Sequence, residues 1–497
     1  MVRALALYQS AGRINRGYRA LIFMSRLIIL YSTLSLLGIG ENADQVGAAL
    51  QAPSERSVDQ AGNWSPSDRR TLEQVLARRA AHGLDRVDFL RGDSAADYRR
   101  AALEYGRALA TGIVNPAKLH DVYTIARPDA EIQAGLTQAL QTGTLGAWLD
   151  GLAPQDEAYR ALSAAYLNAR DEEARSVGDR LSPSLSLDVG DSDAGVPLLV
   201  AQLIDDGYLQ NPIEGPIYTG RMAAAVTALQ RDYGVTADGI VGPDTLAILN
   251  LRPGDHARAL AVALERRRWL KRSPPATRID VNIASAKLSY YRDGVLVDER
   301  RVIVGKPGTE TPALASPIYR LVANPTWTIP KSIQRGELAG VSRAYLKSRN
   351  MFRRGGWIVQ RSGSGNALGV VKFDMKNRHA IYLHDTSARH LFARSQRHLS
   401  HGCIRVEDAE GFARMLAKQE GVADAWSNAR AGKRQSFVSL PREIPVRMLY
   451  HNVSIGTDGA PVFRTDPYDW NAPIAKALGY SGSSVSKADP ANTDVAP

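Results

Sequence analysis

The sequence contains a single cysteine, Cys403, among its 497 residues. One cysteine allows no disulfide within the chain, and it excludes iron–sulfur clusters and zinc sites built from several thiolates. Long apolar runs are missing as well. The most apolar stretch, residues 27–40, has about 14 residues, whereas a membrane-spanning helix needs about 20. A composition of 44% hydrophobic and 23% charged residues excludes wholesale disorder and a protein with many membrane spans.

Positive charge exceeds negative charge in this chain. Lysine and arginine number 62 against 51 acidic residues, which gives a net charge of +11 and a pI near 9.6. Such a chain is attracted to polyanions, among them nucleic acid, an anionic membrane surface and an anionic cell-wall polymer. Charge alone does not choose among these, but no nucleic-acid-binding motif accompanies it, so we expect no nucleic-acid partner.

The N-terminus has the order of a secretory signal. Residues 1–26 contain five arginines and no acidic residue, the apolar run follows, and small and polar residues come next. This order predicts a signal peptide or signal anchor over residues 1–42, with membrane contact only there. A start at Met24 would leave a more compact signal. A buried helix and an uncleaved anchor remain the alternatives.

Helical periodicity recurs from residue 65 to 180 and predicts an α-helical scaffold domain. A linker rich in Ser, Asp and Gly follows, and the turns Asp238-Gly239 and Gly242-Pro243 then separate helical stretches within residues 196–252. The segment ALQRDYGVTADGIVGPDTLAILN resembles the three-helix peptidoglycan-binding module. The alternative is a three-helix bundle without a ligand.

Apolar residues alternate from about residue 277, which predicts strands, and Asp293-Gly294 predicts a hairpin turn between two of them. A basic and partly helical segment, residues 327–356, interrupts this pattern. We interpret it as a cap over a β domain that spans residues 277–479; the alternative is a solvated basic helix. Residues 480–497 are predicted to be a disordered tail.

Titratable side chains crowd the region before the cysteine. Five of the nine histidines lie between residues 379 and 401. A thiol nucleophile needs an imidazole to take its proton, and His384 is the candidate. If residues 379–385 form a strand, Tyr382 and His384 share one face. Gly402 would let a carbonyl substrate approach the backbone, where the Cys403 N–H can face an oxyanion.

Two other interpretations of this region stay open. His384, His398, His401 and Cys403 could bind zinc, although their spacing fits no common zinc signature. Cys403 could also be a buried, inert cysteine among scattered surface histidines. We favour the nucleophile and expect neither a metal nor a cofactor.

The segment Ser400-His401-Gly402-Cys403-Ile404-Arg405 resembles the signature of the L,D-transpeptidases, whose catalytic unit is the YkuD-type domain, and His384 precedes Cys403 by 19 positions, as in that family. Further similar segments are VNIASAKLSYYRDG, VGKPGTETPALASPI, ANPTWTIP and IYLHDT. The order of the regions resembles the large periplasmic members of Gram-negative bacteria. The resemblance implies a multidomain α+β protein, in which a mostly-β mixed catalytic domain with a helical cap insertion follows a three-helix peptidoglycan-binding module and an α-helical N-terminal scaffold.

The resemblance also implies a reaction in the periplasm. Cys403 would attack the carbonyl of the third, L-configured residue of a peptidoglycan tetrapeptide stem and release D-Ala. The thioester would pass to the diaminopimelate amine of another stem, giving a 3–3 crosslink. A protein amine or water could replace that acceptor, and a wall-binding protein without activity is the remaining alternative. Peptidoglycan is the expected partner, and carbapenem-type β-lactams are the expected acylating inhibitors.

The same resemblance assigns roles within the site. His384 would act as general base and acid, with Tyr382 and Gly402 at the oxyanion. Ser400, His401 and Arg405 would support the site; for His401 and Arg405 this means shaping it or holding substrate carboxylates, and a structural ion pair is the alternative for Arg405. Asp385 stands where many members have glycine. Its carboxylate is expected either to orient the imidazole or to face solvent.

Overall fold

The computed structural model describes residues 64–174 and 179–481. The predicted signal over residues 1–42 lies outside this part, and so do residues 482–497 of the predicted tail. The prediction was wrong at Tyr480, whose side chain is buried. Within the described ranges, no helix is both long enough and apolar enough to cross a membrane.

The first described region is helical, as the periodicity predicted. Its α-helices are α1 (Pro66–Ala77), α2 (Ala95–Thr111), α3 (Ile132–Thr142), α4 (Leu145–Leu152) and α5 (Glu157–Glu173). Ser65 and Ser94 cap α1 and α2. Each serine hydroxyl accepts a hydrogen bond from the backbone N–H three residues later, and the aspartate at that position accepts one from the backbone N–H of the serine. Apolar faces of these helices meet in one core.

The next region contains the three short helices that the turn pattern predicted. They are α6 (Val196–Asp205), α7 (Gly220–Tyr233) and α8 (Pro243–Leu249). Gly234 ends α7 in the left-handed conformation, at φ 77°. Helix α9 (Pro253–Arg268) follows and was not predicted. Its apolar and charged residues alternate without a clear stripe, since it is buried on several sides in the core of the first region.

The third region is built on a mixed sheet. Its strands are β1 (Arg278–Asn282), β2 (Lys287–Arg292), β3 (Val295–Gly305), β4 (Ile318–Ala323), β8 (Val371–Met375), β9 (Leu383–His384), β10 (His398–Ser400), β11 (Ile404–Val406), β12 (Ser436–Ile444) and β13 (Val446–Leu449), numbered so that β5 to β7 belong to the cap below. The spatial order is β12-β4-β8-β9-β11-β3-β2-β1-β13, and β10 pairs with β3. Asp293 and Gly294, at φ 52° and 85°, form the predicted turn between β2 and β3. Helices α12 (Ala409–Gln419) and α13 (Ala423–Ala431) cover one face of this sheet.

The cap insertion has its own small core and its own sheet. It consists of β5 (Trp327–Thr328), α10 (Lys331–Arg335), α11 (Arg343–Ser348), β6 (Met351–Arg354) and β7 (Trp357–Gln360). The cap is therefore less helical than the sequence suggested. Gly355 and Gly356, both at positive φ, make the tight turn that lets the basic strand β6 pair with β7.

The chain ends by returning to the helical regions. Strands β14 (Val453–Ile455) and β15 (Pro461–Phe463) form a hairpin, and helix α14 (Ala472–Ala477) follows. The Tyr480 hydroxyl lies 2.8 Å from that of Tyr166 in α5. The Thr465 N–H donates to the Tyr233 carbonyl at the end of α7, at 3.0 Å. Residues that follow the sheet thus hold the helical regions against it.

Candidate active site

Strand register brings the predicted cysteine and histidine together. β9 runs parallel to β11, with Leu383 opposite Ile404 and His384 opposite Arg405. Leu383 and Ile404 are fully buried in the core. Alternation then places Tyr382 and His384 on the other face, beside Cys403, which immediately precedes β11. The expected sharing of a face by Tyr382 and His384 is therefore found, although the strand covers only two residues of the segment 379–385.

A tight turn presents the cysteine. The Ser400 hydroxyl donates to the Cys403 carbonyl at 2.6 Å and accepts from the Gly402 N–H at 3.1 Å. Gly402 has φ 106°, a conformation that an L-side chain rarely adopts. Because the chain bends here, His401 does not continue the face that Cys403 and Arg405 share.

Two threonines for which the sequence predicts no role hold this turn in place. The Thr311 hydroxyl donates to the Gly402 carbonyl at 2.8 Å, and the Thr309 hydroxyl donates to the Ser400 carbonyl at 3.1 Å. Both lie in the segment VGKPGTETPALASPI, where they alternate with Glu310. This alternation of polar side chains is the sequence feature that could have marked the two threonines. They position Cys403 through the backbone of the turn.

The Cys403 thiol is buried and neutral. Burial raises its pKa to about 11, although hydrogen bonds from the Tyr382 backbone and hydroxyl favour the thiolate. The sulfur lies 3.6 Å from the Ala380 carbonyl, as a donor to it. Ala380 itself has φ 55°, a strained conformation for alanine next to a reactive group.

The imidazole of His384 is fully buried and oriented as a base. Its Nδ1 donates to the Asp385 backbone carbonyl, so the lone pair is on Nε2. Among the described residues Nε2 has no hydrogen-bond partner. Burial, reinforced by the positive charge of Arg405, lowers the pKa of His384 to about 3. Thiol and imidazole are therefore both neutral at rest, and a proton must move when the sulfur attacks.

The Asp385 carboxylate takes neither of the two expected roles. It is buried and accepts from the Val370 N–H at 2.9 Å, with Arg389 at 3.2 Å. A Cβ at Gly369 would lie 2.3 Å from this carboxylate, so glycine is required there. The backbone carbonyl of Asp385, rather than its side chain, orients His384. Local sequence could not distinguish these roles, because the partner loop lies 15 residues away.

The other predicted residues differ in their access to a substrate. Arg405 is fully buried, which favours shaping the site over holding a substrate carboxylate. His401 Nε2 lies 2.6 Å from a Glu337 carboxylate oxygen in the cap, so it joins the turn that carries Cys403 to the cap. His398 is buried 3.0 Å from the Ile283 carbonyl, whereas His379 and His390 are exposed. Across residues 64–174 and 179–481, no three His, Cys, Asp or Glu side chains are grouped as metal ligands.

The alkylation of Cys403 should reveal a protonated thiol. Since burial raises its pKa to about 11, the thiolate fraction at neutral pH should be about 100-fold smaller than that of a free cysteine. Iodoacetamide alkylation, followed by intact mass, should be slow at pH 7 and should rise up to pH 10. The urea-unfolded chain, with the same lone cysteine, is the control. A plateau with a midpoint below pH 7 would indicate a thiolate–imidazolium pair instead.

Glu337→Gln should loosen the cap. The substitution keeps an acceptor oxygen but removes its negative charge, and the weakened contact with His401 costs about 1 kcal/mol at such a partly exposed site. Amide hydrogen exchange over residues 331–348 should become about fivefold faster. Glu299→Gln removes an ion pair with Lys287 on the sheet and is the matched control. Equal exchange in both variants would show that the contact does not hold the cap.

Comparison with known proteins agrees with this geometry. Residues 276–433 match the family model described as "L,D-transpeptidase catalytic domain", residues 60–165 match a "Scaffold domain", and residues 192–249 match a "Putative peptidoglycan binding domain". Residues 276–433 are therefore similar to a YkuD-type L,D-transpeptidase catalytic domain, residues 192–249 to a peptidoglycan-binding domain and residues 60–165 to a scaffold domain.

One curated relative is the "Putative L,D-transpeptidase" of Haemophilus influenzae, 35% identical over 196 residues. That match covers 35% of this chain and 40% of the relative, which is less than half of its length. A solved L,D-transpeptidase from Stackebrandtia nassauensis is 15% identical over 54% of this chain and 97% of its own, with a TM-score of 0.24. The structure of LD transpeptidase LdtMt1 in complex with imipenem is 13% identical over 35% of this chain and 59% of its own, with a TM-score of 0.20.

Proposed function

We propose that this protein is a peptidoglycan L,D-transpeptidase that forms 3–3 crosslinks through a Cys403 thioester. The observation that carries the proposal is a pair of neutral groups at two neighbouring strands: a buried thiol just before β11, and an imidazole on β9 whose Nε2 has no partner among the described residues. Such a pair suits a reaction in which the base takes its proton only as the nucleophile attacks.

In the first half of the reaction the enzyme is acylated. The Cys403 sulfur attacks the carbonyl carbon of the third stem residue, and its proton passes to His384 Nε2. The tetrahedral intermediate collapses as the carbon–nitrogen bond to D-Ala breaks. His384 Nε2 gives the proton to the leaving amine, and a thioester remains on Cys403.

In the second half an amine replaces the sulfur. The diaminopimelate side-chain amine of another stem attacks the thioester and gives a proton to His384 Nε2. The carbon–sulfur bond then breaks, and the sulfur recovers the proton. The imidazole is neutral again, and the new amide is the crosslink.

The oxyanion of each intermediate needs donors. The Gly402 N–H is already bonded to Ser400, which leaves the Cys403 N–H as the backbone donor of the turn. Burial raises the pKa of the Tyr382 phenol well above 10, so the phenol keeps its proton and can donate. Lys372 lies 4.2 Å from the Tyr382 ring centroid and adds positive charge nearby.

The surroundings of the site support an anionic, wall-bound substrate. The cap exposes basic side chains, among them Arg353 and Arg354, and peptidoglycan stems carry free carboxylates. We further propose that the protein works in the periplasm after export through residues 1–42. Carbapenem-type β-lactams are proposed to acylate the same sulfur.

The test uses purified protein and disaccharide-tetrapeptide. Intact mass should show a tripeptide acyl adduct on the protein, and the solution should contain 3–3 dimers. Protein whose lone cysteine has first been alkylated is the control and should give neither. Free tripeptide without dimers would make water the acceptor. An adduct that is discharged only by an added amine-bearing protein would point to a protein acceptor, and neither adduct nor dimer would contradict the proposal.

A further inference from the structure

A polar cavity of about 470 Å³ lies outside the catalytic domain, where the end of α5 meets the start of α9. Its volume is in the range of small-molecule sites. The charged side chains in its lining are Arg86, Glu173, Arg180, Arg252, Asp255 and Arg258. Four arginines at one cavity are more than the two acidic side chains can neutralise.

Arg258 is the unusual member of this lining. It is only 7% exposed, and its Nε is buried without a hydrogen-bond partner. No residue of the described ranges forms an ion pair with it under 4.0 Å. A buried guanidinium N–H without an acceptor is costly, because it has lost its water and gained no hydrogen bond in return. It also borders a smaller cavity beside His256, so it lies in the wall between two spaces.

The charges around Arg258 leave a positive excess. Glu173 is bound by Arg86 at 3.1 Å, and one Asp255 oxygen accepts from the Arg252 backbone N–H at 3.0 Å. Within the part of the chain that the structure describes, neither Arg180 nor Arg252 forms an ion pair. Three arginines thus face the single carboxylate of Asp255, which leaves an excess of two positive charges.

The start of α9 adds to this field. The helix has 16 residues, and its first turn, at Pro253 and Gly254, lines the cavity. A helix N-terminus favours negative charge nearby. A Cβ at Gly254 would lie 2.5 Å from a Glu173 oxygen, so this glycine lets the chain's own Glu173 carboxylate approach the helix end.

We propose that this cavity binds a dianionic oxyanion, with Arg258 as its buried ligand. Arginine suits both carboxylate and phosphate, because its planar N–H groups can bind two oxygens at once. The excess of two positive charges fits a ligand with two negative charges. The source is either a peptide with free carboxylates or a phosphate group. The proposal does not depend on Cys403, since the cavity contains no part of the catalytic turn.

The test is calorimetric titration of the full chain carrying Cys403→Ala, which prevents turnover. The two probes are inorganic phosphate and disaccharide-tetrapeptide, each at matched ionic strength. Arg258→Met should weaken the binding of the true probe about tenfold or more, since a charge-assisted hydrogen bond is lost. Arg180→Gln, at an exposed position, should weaken it about threefold. Arg70→Gln, an exposed arginine on α1, is the matched control and should change nothing.

Thermal unfolding separates a ligand-binding arginine from a structural one. Without a probe, Arg258→Met should keep or raise the Tm, because it removes an unpartnered buried charge. With the probe, only protein that retains Arg258 should gain stability. Phosphate binding would identify a phosphate source, and tetrapeptide binding a carboxylate source. Binding that is equal in wild type, Arg258→Met and Arg180→Gln, or binding of neither probe, would overturn the proposal.

Discussion

Cys403→Ala should lower the rate of crosslinking by about 10³-fold or more and leave no acyl adduct on the protein. The chain has no other thiol. The neighbouring Tyr382 hydroxyl has a pKa raised well above 10, so it is a poor replacement nucleophile. The measurement is dimer formation by liquid chromatography together with intact mass of the protein. Crosslinking that survives the substitution would remove Cys403 from the mechanism.

His384→Asn is the matched variant for this experiment. It keeps the thiol but removes the acceptor at Nε2, so the acylation rate should fall by about 10²- to 10⁴-fold. A slowly formed adduct should still appear, in contrast to Cys403→Ala. Unchanged thermal unfolding of both variants would show that the fold is intact, because both sites are buried and each substitution is close in volume.

Glu265→Ala should be among the most destabilising single substitutions in this chain, with a loss of about 3–5 kcal/mol in the free energy of unfolding. Glu265 and Arg268 are fully buried and 2.7 Å apart on α9. The Glu265 carboxylate also accepts from the Val114 N–H at 2.8 Å and from the Trp269 indole at 3.0 Å. Removing it leaves the buried Arg268 guanidinium without its counter-charge, and the Val114 N–H and the Trp269 indole N–H without an acceptor. Chemical denaturation measures the change.

Two controls make this prediction specific. The double variant Glu265→Ala/Arg268→Met should recover part of the loss, since it also removes the charge that the single substitution leaves unpaired. Asp150→Ala breaks an ion pair with Arg78 whose side chains are 54% and 61% exposed, and it should change stability by less than about 0.5 kcal/mol. Equal losses for the buried and the exposed pair would contradict the argument.

The described structure confirms those sequence predictions that depend on neighbours along the chain. Helix α1 begins at Pro66, where the predicted helical periodicity begins, and the aspartate that completes the cap of Ser65 is three residues away. The Asp293-Gly294 hairpin follows from two residues that tolerate positive φ. Helix α9 could not be predicted in this way, because buried charged residues interrupt its apolar stripe. The hydrogen-bond partners of those charged residues lie more than 100 residues away along the chain. The sheet of the cap could not be predicted from the sequence either, because the basic residues of β6 are equally typical of an exposed helix.

The sequence by itself determined which reactive groups this protein offers: one cysteine, a histidine 19 positions before it, and a glycine beside the thiol where the chain bends. Tertiary structure alone decided how these groups are tuned. The backbone carbonyl of Asp385 orients the imidazole, Thr311 holds the turn from 91 residues away, and burial sets both pKa values. The reason is physical, because residue types fix which reactions are available, whereas burial and partners distant along the chain exist only once the sheet has assembled.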